Sequence, residues 1–223
     1  MLSQRNSENP VPGANGTYLK DGKAGMGSWK NSSRLIGFFG RISYGYADRY
    51  NVLLSLRHEG SSKFGADHKW GNFPGVSAGW TISNEEWMEG TRSWLDNLKL
   101  RASFGITGVI PGSSYMSLLR YEYDTSYGNY VDANGVWSPS LSPISNANPD
   151  LRWEKSTEYN IGLDLGFFGN RLYANIDLYN KVTSDMLWEY SVPVPPNLYG
   201  YTTANVGSMS NQGIEVLIGG TRK

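Results

Sequence analysis

The sequence contains no cysteine, which excludes a disulfide framework and a thiolate metal site. It has no apolar run of about 18 residues, so no helix of it is expected to cross a membrane. Barrel strands cross with only about 10 residues, half of them polar, so that absence leaves a membrane barrel open. There is no excess of either charge: 20 Lys and Arg face 20 Asp and Glu, which argues against a nucleic-acid binder with its basic surplus. Hydrophobic residues make up only 39% of the 223 residues, little for a soluble core of this size. Met1 is not followed by a charged start and an apolar core, so no secretory signal is read. Walker loops, dinucleotide fingerprints and nucleophile elbows are missing as well.

What is plentiful is aromatic residues and glycine: 15 Tyr, 8 Trp and 27 Gly. They occur with strict alternation. Leu98, Leu100, Ala102, Phe104 and Ile106 are separated by Lys99, Arg101, Ser103 and Gly105. Tyr159, Ile161, Leu163, Leu165 and Phe167 alternate with Glu158, Asn160, Gly162 and Asp164. Leu172, Ala174, Ile176 and Leu178 alternate with Arg171, Tyr173, Asn175 and Asp177. Side chains change face every two residues along a strand, so each segment has one apolar and one wet face. Strands are expected at 35–47, 50–57, 75–83, 98–107, 153–167, 171–182 and 211–219. In the last, Ile214, Val216 and Ile218 are read as outward and Gln212 and Glu215 as inward. Residues 1–33, 58–73, 108–150 and 183–205 read as loops, the last holding the proline-bearing stretch 192–197 that no central ladder accepts. Residues 84–97 read as a helical turn with Asn84 as N-cap and Glu85 and Glu86 in its first turn. Short and long connections largely alternate, as in a meander across a bilayer. Trp80, Tyr44 and Tyr46 fall on the apolar face and suit an interfacial girdle.

Residues with chemical potential are few. His58 and His68 beside Glu59 and Asp67 offer metal-ligand types, but without helical spacing or a third ligand they read as a solvated polar loop. Glu85 with Glu86, or Glu154 with Glu158, could be paired for glycoside hydrolysis. Adjacent strand residues point apart, however, and the second pair reads as wet lining. Asp132-Ala133-Asn134-Gly135 looks like half a calcium loop but lacks the later Glu, and reads as a tight turn. No catalytic residue, cofactor or metal is expected, so the chain does not read as an enzyme. The aromatic residues Tyr121, Tyr123, Tyr127, Tyr130 and Trp137 in the long loop, and Trp188 beyond it, are the candidate substrate contacts. Their faces could stack on sugar rings or pack peptide side chains. They could equally brace the loop or meet a partner. Tyr190 and Tyr199 invite the same pair of readings.

An ordered series of phrases carries a resemblance. It runs from Phe39-Gly40-Arg41-Ile42-Ser43-Tyr44 and Asp48-Arg49-Tyr50 through Leu56-Arg57-His58-Glu59-Gly60-Ser61-Ser62-Lys63-Phe64-Gly65. It continues with Trp70-Gly71-Asn72-Phe73-Pro74-Gly75 and Leu98-Lys99-Leu100-Arg101-Ala102-Ser103-Phe104-Gly105. Asn148-Pro149-Asp150-Leu151-Arg152-Trp153-Glu154-Lys155, Asn205-Val206-Gly207 and Asn211-Gln212-Gly213-Ile214-Glu215 complete it. Over about residues 35–218 the chain resembles the SusC/RagA family of TonB-linked outer-membrane transporters. The resemblance implies a barrel of about 22 strands closed by a plug. It further implies a SusD-like lid lipoprotein, energy from the TonB complex, and oligosaccharides or peptides as cargo.

The fold expected is therefore all-β: seven or eight strands of an antiparallel meander from a larger transmembrane barrel, with long extracellular loops, in the bacterial outer membrane. Residues 1–223 show no plug segment and no TonB box and read as an internal piece of barrel wall, in contact with membrane lipid. Arg41, Arg57, Lys99, Arg101, Glu158 and Asp164 would line its lumen. A soluble carbohydrate-binding β-sandwich is the alternative, and it would need a second sheet on the apolar face. An open arc leaves two unpaired edges, and orphan backbone groups in lipid cost several kcal/mol each. Residues 1–223 expressed alone are thus expected not to insert as a stable closed monomer. A heat-modifiable, protease-resistant monomer in detergent would overturn that expectation.

Overall fold

The computed structural model describes residues 2–5, 25–28 and 30–221. In the first 33 residues, two short strands, β1 (Leu2–Arg5) and β2 (Gly25–Ser28), pair antiparallel within the stretch expected to be loop. From residue 34 onward the architecture is a seven-stranded antiparallel sheet. Its strands are β3 (Leu35–Tyr46), β4 (Tyr50–Ser61), β5 (Trp70–Thr81), β6 (Leu95–Val109), β9 (Glu154–Phe167), β10 (Leu172–Ser191) and β11 (Tyr201–Gly220). They lie in the order β11-β10-β9-β6-β5-β4-β3. Between β6 and β9 the chain makes a separate hairpin, β7 (Arg120–Val131) with β8 (Trp137–Ser145). The 108–150 segment, expected to be irregular, is thus partly ladder. At its turn the Asp132 carboxylate accepts from the backbone N–H groups of Asn134 (2.9 Å) and Val136 (2.8 Å), and Gly135 takes φ +78°. That is the tight turn the Asn134-Gly135 pair calls for.

The ladders run in register through all seven strands, so the alternation read from the sequence adds up across the sheet. One row reads Tyr44–Val52–Ala78–Ala102–Ile161–Leu178–Ile214. Ile42, Ile214 and Ile218 are 68, 69 and 71% exposed, because no described element covers this face. Along β9 the apolar positions extend from Tyr159 to Phe167, about 26 Å at ~3.3 Å per residue before tilt. An outer-membrane barrel presents an apolar band about 25 Å tall. Above the next row, Leu178↔Ile214 gives way to Asn180↔Gln212. Gln212 therefore shares the face of Ile214, not that of Glu215. The reading of Gln212 as inward fails because no bulge intervenes to shift the alternation, and the amide pair interrupts the apolar band on β10 and β11 alone, in a row that continues as Tyr159, Phe104 and Val76.

The strands are longer than the alternation predicts. β4 and β5 run on through 58–61 and 70–74, and β10 and β11 through 183–191 and 201–210. Beyond the apolar band neither face needs apolar residues, so backbone pairing continues where the sequence signal stops. The β5–β6 ladder ends at Gly75↔Gly105, next to Pro74, which has no amide hydrogen to donate. Above that point β5 stays with β4 and β6 with β9, and the sheet parts.

The buried core lies beside this parting and not on the broad apolar face. Phe64, Phe73, Leu151 and Trp153 cluster there, with Ile106, Met116 and Leu187 packed against them. Leu151 is fully buried. Phe73 meets Trp153 edge-on at 5.1 Å between centroids, and a side chain at Gly108 would overlap both rings. The Trp153 indole N–H donates to the Lys69 carbonyl (3.0 Å), and the Gly65 amide to the Leu151 carbonyl (2.9 Å). A Cβ on Gly65 would collide with the Pro149 carbonyl oxygen, so only glycine permits this approach.

At the short-turn end, residues 82–91 form two 3-10 turns, Ile82–Asn84 and Glu86–Thr91. Asn84 is not a cap: its side-chain amide donates instead to the Asp48 carbonyl across the β3–β4 turn (2.8 Å). Glu85, whose backbone is extended, is the anchor. Its Oε1 accepts from the Tyr50 hydroxyl (2.6 Å) and the Trp80 indole (2.9 Å), and its Oε2 pairs with Arg49 (3.2 Å). Tyr50 and Trp80 also stack, 6.3 Å between centroids. Aromatic rings at an interface keep their polar tips wet or bonded, and here Glu85 receives both. Those hydrogen bonds, with the Arg49 charge, hold its carboxyl below the ordinary value near 4.5.

Two outcomes follow from this architecture. Leu163→Arg, in the middle of the apolar band on β9, lowers folded protein in the outer membrane, at a cost of about 2–4 kcal/mol. Gly105→Arg, on the wet face with open space above it, leaves the level near that of the parent. Heat-modified against unmodified bands on gels compare the two. Glu85 favours the folded state when ionised, so its contribution is complete above about pH 4.5 and is lost as pH falls through its lowered folded-state value. Glu85→Gln therefore lowers the melting temperature at pH 7, and its gap to the parent narrows below pH 4.5.

Candidate functional site

The face opposite the apolar band is wet and of mixed charge. Register places Arg41, Arg57, Lys99, Arg101, Glu158 and Asp164 all on it. Arg101 is its best-tied member. It makes a two-pronged pair with Asp164 on β9, Nε to Oδ2 and Nη2 to Oδ1, both at 2.8 Å. Its Nη2 also reaches both oxygens of Asp177 on β10 at 3.2 Å. The row is Arg101–Gly162–Asp177. A Cβ at Gly162 would lie 2.6 Å from both Arg101 Nη2 and Asp177 Oδ1, so the bare glycine lets one guanidinium span three strands. Asn175 donates a further hydrogen bond to Asp164 (3.0 Å). Arg57 pairs with Glu59 two-pronged at 2.6 and 2.7 Å, and the Ser156 and Thr183 hydroxyls meet at 2.8 Å. Lys99, Arg41 and Glu158 form no ion pair among the described residues. An open hollow of about 410 Å³ lies on this face, with Asn51, Ser77, Lys99, Arg101, Ser103 and Asn160 in its lining. Such a surface offers hydrogen bonds and both signs of charge to a hydrated solute.

At the long-loop end, asparagine side chains fasten segment 146–152 to β11 and the loop before it. The Asn146 amide donates to the carbonyls of Tyr199 (2.6 Å) and Tyr201 (2.9 Å) and accepts from the Leu198 and Tyr199 amides. Asn148 donates to the Thr203 carbonyl (2.7 Å). Asn205 accepts from the Arg152 amide (2.9 Å) and donates to the carbonyls of Arg152 (2.8 Å) and Asp185 (2.7 Å). Arg152 closes the set through an ion pair with the Asp185 carboxylate (2.7 Å). Asp185 sits at the β10 bulge with φ 56°. The side chains thus act as a substitute ladder where the backbone is not in register. The alternate spacing of Asn146 and Asn148 was the available signal for it; Asn205 lies too far along the chain to be matched to them by eye.

The aromatic candidates are not brought together. Tyr121 and Tyr130 lie on β7 and are both exposed. The side chains of Tyr123, Tyr127 and Trp137 lie outside the described residues. Trp188 on β10 is 65% exposed and alternates with Leu187 and Glu189, so it faces the opposite side from them. Of the two histidines only His68 lies in a polar loop, between β4 and β5. His58 is on β4, stacked on Trp70 (4.7 Å between centroids) with Asn72 at its Nδ1, while His68 faces Asp150 at 3.8 Å. Glu59 is taken by Arg57. No group of three or more His, Asp or Glu that could hold a metal occurs among the described residues. Glu154 and Glu158 share the wet face, whereas Glu85 is occupied by Tyr50, Trp80 and Arg49.

The profile of the family described as "TonB dependent receptor-like, beta-barrel" matches residues 3–221. The TonB-dependent receptor SusC of Bacteroides thetaiotaomicron is 35% identical over 192 residues, covering 86% of this chain and 19% of that protein. The TonB-dependent receptor P39 of Formosa agariphila is 38% identical over 185 residues, 82% of this chain and 17% of its own length. Among solved structures, the RagAB peptide importer in its closed-closed state superimposes with a TM-score of 0.74 at 30% identity, over 90% of this chain and 20% of that one. The siderophore receptor PirA from Acinetobacter baumannii, at 17% identity and a TM-score of 0.51, shares the fold alone. The chain spans about a fifth of the length of the curated relatives it matches. These β-barrels reside in the bacterial outer membrane, and the chain belongs to the TonB-dependent receptor β-barrel family, of the SusC/RagA type.

Proposed function

We propose that this chain forms wall and extracellular rim of an outer-membrane importer that takes up oligosaccharides or peptides. In this reading a SusD-like lipoprotein covers the rim and the TonB complex supplies the energy. The observation that carries it is the two-sided sheet: an uncovered apolar band outside and a mixed-charge wet face inside, topped by loops packed into a core. Transport of this kind needs no covalent chemistry, only a wall that shields a hydrated path from lipid. In this reading Tyr121 and Tyr130, exposed on the β7–β8 hairpin, would meet cargo or lid. The soluble β-sandwich is disfavoured because its second sheet is missing from the apolar face among the described residues.

The test is uptake by whole cells. Cells carrying the protein accumulate labelled oligosaccharides or peptides above the porin size limit, and lose that uptake when its gene is deleted or the proton gradient that drives TonB is collapsed. Unchanged uptake after deletion, across both cargo classes, would remove the proposal.

A further inference from the structure

A second hollow, of about 450 Å³, lies on the wet side at the long-loop end, between the tops of β6 and β9 and those of β10 and β11. Half of its lining is apolar, Val109, Ile110, Pro111, Met116 and Leu187, and Ser113 and Thr203 add hydroxyls. Two carboxylates, Glu154 and Glu189, stand in the same lining. We propose that this hollow is a subsite for a cationic side chain on an apolar stem, the lysine or arginine of an imported peptide. The proposal rests on the importer reading above and narrows its cargo.

Three observations carry it. First, most other carboxylates tied into this face and rim are already matched: Asp164 and Asp177 by Arg101, Glu59 by Arg57, and Asp185 by Arg152. Glu154 and Glu189 form no ion pair among the described residues. Among the described residues Glu154 accepts one hydrogen bond, from the Leu187 amide (3.3 Å). Lys63 pairs with neither glutamate: its ammonium donates to the carbonyls of the lining residues Pro111 (2.7 Å) and Gly112 (2.9 Å), which fixes the loop wall. Second, the wall chemistry fits a methylene stem beneath a charged head. Long cationic side chains lay their stems on apolar surface, and Met116 is a side chain that adapts to what it packs against. The volume is within the range of small-ligand sites. Third, no aromatic ring lines the hollow, so it has no platform for stacking a sugar ring, and the hydroxyls of a neutral glycan, though they can donate to carboxylates, leave the two negative charges uncompensated where an ammonium or guanidinium would neutralise them.

The test uses the protein in its native outer membrane and two labelled peptides above the porin size limit, Leu-Gly-Leu-Gly-Leu-Gly-Lys-Gly-Leu-Gly-Leu-Gly-Leu and its norleucine analogue, which differ by one ammonium group. A labelled neutral oligosaccharide serves as third cargo. The parent accumulates the lysine peptide preferentially, with a half-saturating concentration about tenfold below that of the norleucine peptide, as one charge-assisted hydrogen bond would give. Glu154→Gln with Glu189→Gln removes most of that difference at matched outer-membrane levels. Glu189→Lys, a surface change on the β10 extension, turns the preference against the lysine peptide. Equal handling of both peptides by the parent, or a preference that survives the double substitution, overturns the subsite. Uptake of the oligosaccharide but of neither peptide overturns the subsite and leaves the importer reading standing. Uptake of none of the three removes both.

Discussion

In hydrocarbon no backbone amide or carbonyl finds water, so every one must pair with its neighbour strand. This constraint orders the rest of the molecule. Through the apolar band, pairing from β3 to β11 proceeds without a bulge. The irregularities are displaced to its ends. The Leu95/Asn97 shift is at the short-turn side, and the Thr183/Met186 bulge and the parting beside Pro74 are at the long-loop side. Where water returns, the sheet is free to open, and there the chain builds its packed core.

The distribution of apolar residues inverts what a water-soluble domain shows. Leucine and isoleucine sit bare on the outside because lipid solvates them, while the rings of Phe64, Phe73 and Trp153 are hidden among loops. Loops in water must supply their own burial and their own hydrogen bonds, which the asparagine fastenings at 146, 148 and 205 provide. Across the height of the apolar band the wet face is held by Arg101 and its two aspartates.

The alternating segments at 98–107, 158–167 and 171–178 were legible because a strand with lipid on one side and water on the other must change character at every residue. Legibility ended where that contrast ended. The upper halves of β10 and β11 have water on both sides, so Thr202, Thr203 and Asn205 look like loop although they pair as strand. The β7–β8 hairpin was hidden for the same reason. Gln212 was misplaced because polarity was taken as a sign of the inner face, when the amide lies on the outer face and interrupts the band on β10 and β11 alone. Asn84 was misread because its partner, the Asp48 carbonyl, comes from another turn. The phrase from Asn148 to Glu154 was recognisable as a family feature, but its work became visible only with its partners in place: Leu151 and Trp153 fill the core, and Asn148 and Arg152 fasten the rim to β11.

The guanidinium of Arg101, lying over Gly162 between two aspartates, bears on how the wall is put together. A slip of β9 or β10 by a single residue exchanges that strand's two faces. Asp164 or Asp177 would then be carried into lipid and Arg101 left short of a partner. A mis-zippered intermediate therefore strands an anion in lipid and leaves Arg101 with one aspartate where the aligned wall gives it two. Three residues on three strands thus make one alignment of the wall electrostatically better matched than its one-residue neighbours.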